Sequence, residues 1–189
     1  METIALYGGS FDPPHIGHEE VVKALNNLSF IDKIIVMPTY LNPFKRVFCA
    51  PPELRLKWLK NIFASYKNVE ISSFEVDLKR EVPSIETVKY LKKKYQKIYL
   101  VIGADNLQSL HKWHSYEELK ELVSFIIAKR DTIKVSDDFI KLDINENISS
   151  SRLREQIDIT KLPKAVAKEI AQYYKEHNAK QNTEHNRDT

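Results

Sequence analysis

Short apolar segments alternate with segments of helical periodicity along most of the 189-residue chain. Near-continuous apolar runs, such as KIIVMP at residues 33–38, are typical of strands that are covered on both faces. This alternation indicates an α/β fold in which a mainly parallel sheet carries helices on both faces. Strands are predicted at Thr3–Tyr7, Lys33–Pro38, Val69–Val76, Ile98–Gly103, Val123–Lys129 and Phe139–Asp143.

Amphipathic segments lie between the predicted strands and indicate helices with one buried face. The last of them begins near Pro163 and aligns Val166, Ile170 and Tyr173 on one side. The order of segments predicts a Rossmann-like, doubly wound sheet with C-terminal helices, in which ligands bind beyond the carboxyl ends of the strands. Helices are predicted within residues 18–28, 52–66, 85–95, 116–122 and 163–174.

Length and composition indicate one domain over residues 1–178, followed by a polar tail over 179–189 that we expect to be disordered. The net charge of +3 is small and does not indicate a nucleic-acid partner. The apolar runs are too short to cross a membrane, and no signal-peptide pattern is visible. A single cysteine, Cys49, excludes an internal disulfide and is typical of the cytoplasm. Nothing in the sequence indicates the oligomeric state.

The segment YGGSFDPPHIGH at residues 7–18 directly follows the first predicted strand. Gly8 and Gly9 remove side chains where the backbone leaves the strand, so a phosphate group can come close to the main chain. Pro13 and Pro14 disfavour helical geometry in the residues before them, so a helix is expected to begin just after them.

His15 and His18 are three positions apart, so both imidazoles are expected on one face of the first helical turn. Three interpretations are open. A tight turn with two surface histidines needs no ligand. A zinc site needs further ligands, for which the sequence offers only Asp12 nearby and no HExxH or CxxC pattern. A phosphate site, with both imidazoles as donors beside the helix dipole, accounts for the glycines, the prolines and the helix start together.

GGSFDPPHIGH resembles the signature of the HxGH nucleotidyltransferases, and its form is similar to that of bacterial nicotinate-nucleotide adenylyltransferases. The resemblance implies that ATP and nicotinate mononucleotide react to give deamido-NAD and pyrophosphate in NAD biosynthesis. It also implies Mg²⁺ held mainly by the ATP phosphates, without protein ligands to the metal. His15 and His18 would be catalytic phosphate donors, and the ATP contacts at this motif would be Gly8, Gly9, Ser10 and Phe11.

GADNLQSLHKWHSYEEL at residues 103–119 follows the fourth predicted strand. Gly103 allows a close approach of a ligand. Asp105 can accept hydrogen bonds from ribose hydroxyls or cap the next helix, and Trp113 can stack on an aromatic ligand or pack in the core. The segment is similar to GADxxxxLxxWxxxxxL of the same family. That similarity implies that Gly103 and Asp105 contact ATP, with Asp105 binding the ribose, and that Trp113 stacks on the pyridine ring.

NISSSRLREQI at residues 147–157 begins a predicted helix with three serines. Serines at this position are commonly helix caps, but with an arginine they can also bind a phosphate. The segment resembles the family pattern ISSTxIR. The resemblance implies that Ser150 and Ser151 contact ATP and that Arg154, rather than Arg152, faces the phosphates.

Two loops complete the predicted site. In YLNPFKR, residues 40–46, Lys45 matches the basic residue with which family members reach the phosphates, although a solvated lysine is the alternative.

REVPSIETVKYL at residues 80–91 departs from the family pattern GPSYTxDTL. Ser84 takes the position of a threonine beside the nicotinate ring, and Pro83 replaces an aromatic residue. Lys79 and Arg80 either neutralise the carboxylate of the substrate or form a solvated charge pair.

Two other functions share parts of this pattern. A sister enzyme, such as pantetheine-phosphate adenylyltransferase or a cytidylyltransferase, would keep the first motif and need a different acceptor pocket. A nucleotide-binding regulatory module without catalysis would be expected to lack a histidine of HxGH or the arginine of the serine motif. The chain retains all three residues, His15, His18 and Arg154.

Overall fold

The computed structural model describes residues 2–41, 47–130, 134–146 and 148–185. The strands are β1 (Thr3–Gly9), β2 (Lys33–Pro38), β3 (Val69–Ile71), β4 (Lys97–Gly103), β5 (Ser124–Arg130) and β6 (Ile140–Ile144). The helices are α1 (Ile16–Asn26), α2 (Pro52–Ile62), α3 (Phe74–Leu78), α4 (Ser84–Lys92), α5 (Tyr116–Leu122), α6 (Ser150–Glu155) and α7 (Ala167–His185). Two 3₁₀ helices cover Ala104–Lys112 and Ile159–Lys161.

The six strands form one sheet in the order β3-β2-β1-β4-β5-β6, and every neighbouring pair is parallel. β1 pairs with β2 on one side and with β4 on the other. After β3 the chain therefore crosses back and continues the sheet in the opposite direction. This order confirms the predicted doubly wound fold and creates a topological switch point between β1 and β4.

The sheet divides the apolar core into two halves, because alternate residues of a strand point to opposite faces. In β1, Ala5 and Tyr7 pack in one half and Ile4 and Leu6 in the other. The first half also contains apolar residues of α1, α2 and α7, and the second those of α4 and α5. Cover on both faces explains why the strands are nearly continuous apolar runs.

The predicted strand Val69–Val76 is longer than the strand in the structure, which ends at Ile71. The chain turns into α3 instead. The backbone N–H of Asp77 donates to the carbonyl of Ser73 at 2.8 Å, and the Ser73 hydroxyl donates to the Asp77 carboxylate at 2.7 Å. These local bonds of a serine and an aspartate compete with a strand ladder and favour a short helix.

α7 is the longest helix, with 19 residues, and extends to His185. It therefore includes the first part of the segment 179–189 that was expected to be a disordered tail, while residues 186–189 lie outside the described structure. That segment contains alanine, lysine, glutamine and glutamate, which are good helix formers even without an apolar stripe. Among the described helices, α7 included, none combines the length and apolar character needed to cross a membrane.

Candidate active site

A cavity of about 410 Å³ lies at the switch point of the sheet. Gly8 and Gly9 line it from the end of β1, and Gly103 lines it from the end of β4. Ser84, at the start of α4, and Trp113, after the first 3₁₀ helix, also line it. Five residues that were predicted from three separate motifs thus meet where doubly wound sheets bind ligands.

The imidazole rings of His15 and His18 stack at the start of α1, with centroids 3.6 Å apart and planes inclined by 19°. The backbone N–H of His15 donates a hydrogen bond to Nδ1 of His18 at 3.1 Å. Because Nδ1 accepts this bond, the proton of a neutral His18 ring is carried by Nε2. His18 therefore presents an Nε2–H group that can donate to a ligand.

Gly17, between the two histidines, leaves space for the buried ring of His15. A Cβ atom at Gly17 would lie 3.0 Å from Nδ1 and 3.1 Å from Cε1 of that ring. Such contacts are too short for the ring to keep its position. The glycine of the HxGH motif is thus explained by packing, a reason that the sequence pattern alone does not reveal.

Phe11 supports the histidines from the core side. Its ring is only 2% exposed and packs edge-on against His18, with centroids 4.8 Å apart. It also packs edge-on against Tyr7, and a Cβ atom at Gly9 would lie 3.2 Å from the ring. Phe11 can therefore offer only its backbone to ATP, while its side chain fixes the position of His18.

The buried carboxylate of Asp12 anchors the loop between β1 and α1. It accepts hydrogen bonds from the backbone N–H groups of Cys49 at 2.8 Å and Ala50 at 2.9 Å. It also accepts from the hydroxyl of Tyr174 in α7. Burial and this carboxylate together raise the pKa of Tyr174, which keeps the phenol protonated as a donor. Asp12 is thus committed to holding the loop rather than to binding a metal.

Arg55 of α2 is a buried cation that the motif analysis missed, with 1% of its surface exposed. Its Nε donates to the carbonyl of Ala50 at 3.0 Å, Nη2 donates to that of Tyr40 at 2.9 Å, and Nη1 donates to that of Ser10. Burial lowers the pKa of Arg55, and the nearby carboxylate of Asp12 opposes this effect. The residue ties the loops after β1 and β2 to α2. Its spacing from Trp58, three positions on, was a signal that it lies on the buried face.

The serine motif docks on the loop that precedes the histidines. The Ser150 hydroxyl donates to the carbonyl of Pro13 at 2.9 Å. Arg154 donates through Nη1 to the carbonyl of Asp12 and through Nη2 to the Ser151 hydroxyl, the latter at 3.0 Å. The first and third motifs therefore form one structural unit, although more than 130 positions separate them in the chain.

Asp105 lies at the carboxyl edge of β4, in the first turn of the 3₁₀ helix rather than at its cap. Its carboxylate folds back against Gly103, so that a Cβ atom at Gly103 would overlap Oδ1 of Asp105. The residue is exposed and close to the cavity that Gly103 lines. This exposed position next to the cavity suits an acceptor for ligand hydroxyl groups.

Glu75 of α3 is a second buried charged group that the motif analysis missed, because its segment was assigned to a strand. It lines the cavity and is 5% exposed. The Thr87 hydroxyl donates to its Oε1 at 2.6 Å, whereas Oε2 has no hydrogen-bond partner within the described part of the protein. Burial raises the pKa of Glu75 to about 7.

Three further predictions concern basic residues. Lys45 lies outside the described residues. Arg80 forms an ion pair with Glu86, and both side chains are about half exposed, which favours the solvated charge pair over a substrate contact. Arg152 lines a separate cavity beside α6, whereas Arg154 donates to the carbonyl of Asp12 in the histidine loop.

Comparison with known proteins identifies the family. The cytidylyltransferase-like family model matches residues 6–156. A protein of Sulfurimonas denitrificans is 59% identical over 180 residues, covering 95% of this chain and 99% of its own length. A protein of Campylobacter fetus is 48% identical over 181 residues, covering 94% of this chain and 99% of its own length. Both carry the name "Probable nicotinate-nucleotide adenylyltransferase".

A solved structure has the same fold at lower sequence identity. The Plasmodium falciparum nicotinic acid mononucleotide adenylyltransferase complexed with NaAD superposes with a TM-score of 0.77 at 23% identity. The match covers 93% of this chain and 98% of that one. The curated relatives align over nearly the whole chain at high identity, and the family model spans most of it. The chain therefore belongs to the nicotinate-nucleotide adenylyltransferase family of cytidylyltransferase-like proteins.

Proposed function

We propose that this protein transfers the adenylyl group of ATP to nicotinate mononucleotide, giving deamido-NAD and pyrophosphate in NAD biosynthesis. The observation that carries the proposal is the single cavity that Gly8, Gly9, Ser84 and Trp113 line at the switch point. A nucleotide binds at this edge of a doubly wound sheet, and the indole offers a flat face for a pyridine ring. The shared name of the curated relatives supports this acceptor over phosphopantetheine.

ATP is proposed to bind where the first and third motifs meet. Backbone N–H groups at the exit of β1 and at the start of α1 suit its phosphates, and the exposed Asp105 suits its ribose. Four side chains are proposed to donate to the phosphates during the reaction, namely His15, His18, Lys45 and Arg154. The remaining proposed contacts to ATP are Gly8, Gly9, Ser10, Phe11, Gly103, Ser150 and Ser151.

The reaction joins a phosphate oxygen of the mononucleotide to the α-phosphorus of ATP. The bond from that phosphorus to the bridging oxygen of the β-phosphate breaks, and pyrophosphate leaves with the electron pair. The attacking oxygen is already anionic near neutral pH, so the step needs no general base. The protein aligns the two substrates and donates hydrogen bonds to the phosphate oxygens on which charge builds. The Nε2–H of His18 and the guanidinium of Arg154 suit this task.

ATP is proposed to enter as its Mg²⁺ complex, with the ion held by its phosphates. Across the described ranges, no group of three or more histidine, cysteine or acidic side chains is arranged to hold a metal ion. The carboxylate of Asp12 is used by two amides and a phenol. The side chains within these ranges therefore do not fit a resident metal, and no step above is routed through one.

The cytoplasm is the proposed location, which the single half-buried Cys49 and the lack of disulfide pairs in the sequence support. Both substrates are small anions, and the net charge of +3 gives no reason to add a nucleic-acid partner.

Release of pyrophosphate from ATP with a panel of acceptors tests the proposal. Nicotinate mononucleotide should be used best, with deamido-NAD identified by mass spectrometry, ahead of nicotinamide mononucleotide and 4′-phosphopantetheine. Trp113→Ala should raise KM for the mononucleotide more than KM for ATP, with the exposed His111→Ala as control. Turnover with phosphopantetheine alone would overturn the assignment. Binding of ATP without turnover of any acceptor would instead indicate a regulatory module.

A further inference from the structure

We propose that Glu75 selects nicotinate over nicotinamide mononucleotide by holding a proton that it donates to the ring carboxylate of nicotinate. The inference rests on the proposed function, because it assumes that the pyridine ring occupies the cavity lined by Trp113. It adds a specificity-determining residue to the acceptor side of the site.

The geometry leaves one oxygen of Glu75 for a ligand. Glu75 lines the same cavity as Trp113 and Ser84, and only 5% of its surface is exposed. Oε1 accepts the hydroxyl proton of Thr87 at 2.6 Å. Oε2 is buried and has no hydrogen-bond partner among the residues that the structure describes. Oε2 is closed off from solvent, so a substituent of a ring that stacks on the indole reaches it once the Glu75 side chain shifts toward the cavity that it lines.

Thr87 is the partner of one oxygen of the carboxyl group. With the Thr87 hydroxyl donating to Oε1, that oxygen acts as an acceptor, and the proposal places the proton of a neutral Glu75 on the other oxygen, Oε2. An Oε2–H group that donates to a carboxylate forms a charge-assisted hydrogen bond, which is stronger than one between neutral groups.

Electrostatics favours the protonated form of Glu75 beside the carboxylate of the nicotinate ring. Burial raises the pKa of Glu75 to about 7, and a second carboxylate in the same cavity would raise it further. The charged groups around Glu75 differ in their effect on its pKa. Glu86 of α4 raises this pKa further. The carboxylate of Asp77 in α3 accepts a hydrogen bond from Ser73. The hydrogen bond from Thr87 acts in the opposite direction, and Lys112 and His114, both exposed, line the cavity from the segment after β4.

The two acceptors respond differently to the state of Glu75. When Glu75 is protonated, it donates to the nicotinate carboxylate. When it is ionised, it repels that carboxylate and can accept an N–H of the nicotinamide amide group. The preference for nicotinate should therefore decrease as pH rises through the pKa of Glu75.

The ratio of kcat/KM for the two mononucleotides, measured from about pH 6 to about pH 9, tests this inference. Both acceptors carry the same phosphate, whose second ionisation lies near pH ~6, so its titration cancels in the ratio. The nicotinate-to-nicotinamide ratio should fall about tenfold or more in the wild type, which corresponds to about one pKa unit of differential interaction. Glu75→Gln should make the ratio independent of pH. Glu70→Gln, a substitution of an exposed residue in neighbouring β3, should show the same dependence of the ratio on pH as the wild type.

Calorimetry gives a second readout that does not depend on turnover. Binding of nicotinate mononucleotide to the wild type, in two buffers of different ionisation enthalpy at about pH 8, should take up more protons than binding of nicotinamide mononucleotide. Glu75→Gln should abolish that difference. Transfer to both acceptors with a constant ratio and equal proton uptake would overturn the role of Glu75 alone. Transfer to neither would overturn the proposed function itself. The wild-type measurements decide the matter even if the variant fails to fold.

Discussion

The hydroxyl of Tyr174 in α7 donates a hydrogen bond to the carboxylate of Asp12, 162 positions earlier in the chain. Tyr174 is fully buried, and Asp12 is 4% exposed. Arg154 binds the carbonyl of the same aspartate. Two residues near the C-terminus therefore hold the loop near the N-terminus that presents His15 and His18. The geometry of the candidate active site depends on the docking of the C-terminal helices.

Tyr174→Phe should lower both the stability of the protein and its turnover. The change leaves one oxygen of a buried carboxylate short of a donor, which costs about 1–3 kcal/mol of the free energy of unfolding. Turnover should fall as well, because the loop that carries the histidines loses its contact with α7. Urea unfolding and kcat with ATP and nicotinate mononucleotide measure the two effects.

Tyr173→Phe provides the matched control in the same helix. The Tyr173 hydroxyl donates to the carbonyl of Cys49 at 3.1 Å, and Tyr173 is only partly buried. Removing this neutral hydrogen bond should cost about 0.5–1.5 kcal/mol and leave turnover close to the wild-type value. Equal effects of the two substitutions would contradict a special role for the bond to Asp12.

Gly17→Ala should reduce turnover more than stability. Its Cβ atom would lie 3.0 Å from Nδ1 of His15, so the ring must shift by a few tenths of an ångström relative to the ring of His18 on which it stacks. Alanine favours a helix over glycine by about 1 kcal/mol, which offsets part of the packing cost. Steady-state kinetics and the thermal midpoint should separate the two effects. Asn26→Ala, at the exposed end of α1, is the control, and wild-type turnover of Gly17→Ala would disprove the packing argument.

His18→Ala should lower kcat by about 10²–10³-fold, as expected when one donor to the charge of a transition state is removed. The substitution removes the Nε2–H group, while the apolar core around Phe11 and Tyr7 should keep the fold. Circular dichroism and the thermal midpoint check the fold, and single-turnover kinetics checks the chemical step. His111→Ala, an exposed histidine of the 3₁₀ helix, is the control. A turnover near that of the wild type would exclude the proposed role.

Features that depend on local sequence could be predicted well. The strand at Lys33–Pro38 has the bounds that its apolar run predicts, because cover on both faces selects such a run directly. Gly8 and Gly103 lie at the carboxyl ends of β1 and β4, and Trp113 comes after β4, so the parallel topology alone brings them to one edge of the sheet.

Features that depend on distant contacts could not be predicted in this way. The amphipathic pattern of the last helix suggested Tyr173 as the buried aromatic, but Tyr174 is the one that is fully buried. Its hydroxyl reaches the buried carboxylate of Asp12, whereas Trp58 packs against both tyrosines. Arg55 and Glu75 are buried charges whose partners come from other elements. The spacing of Arg55 from Trp58 indicates a buried face of α2, but only the fold shows which groups Arg55 and Glu75 contact.

The stability of the protein should depend on the ionisation of Glu75. In the unfolded chain this carboxyl releases its proton near its ordinary pKa of 4.5, whereas in the folded protein it keeps the proton until about pH 7. Between these values the folded state binds more protons, so the free energy of unfolding falls as pH rises. The difference of pKa corresponds to about 3 kcal/mol, which is fully lost only above about pH 7.

Glu75→Gln removes this titration and keeps an acceptor for Thr87. The free energy of unfolding of the variant, relative to the wild type, should therefore increase by up to about 3 kcal/mol between about pH 4.5 and about pH 7, and then level off. Urea unfolding at a series of pH values measures this difference. For Glu70→Gln the difference should change much less over the same range, because that side chain is half exposed to water. A flat difference for Glu75→Gln would mean that burial does not hold the proton on this residue.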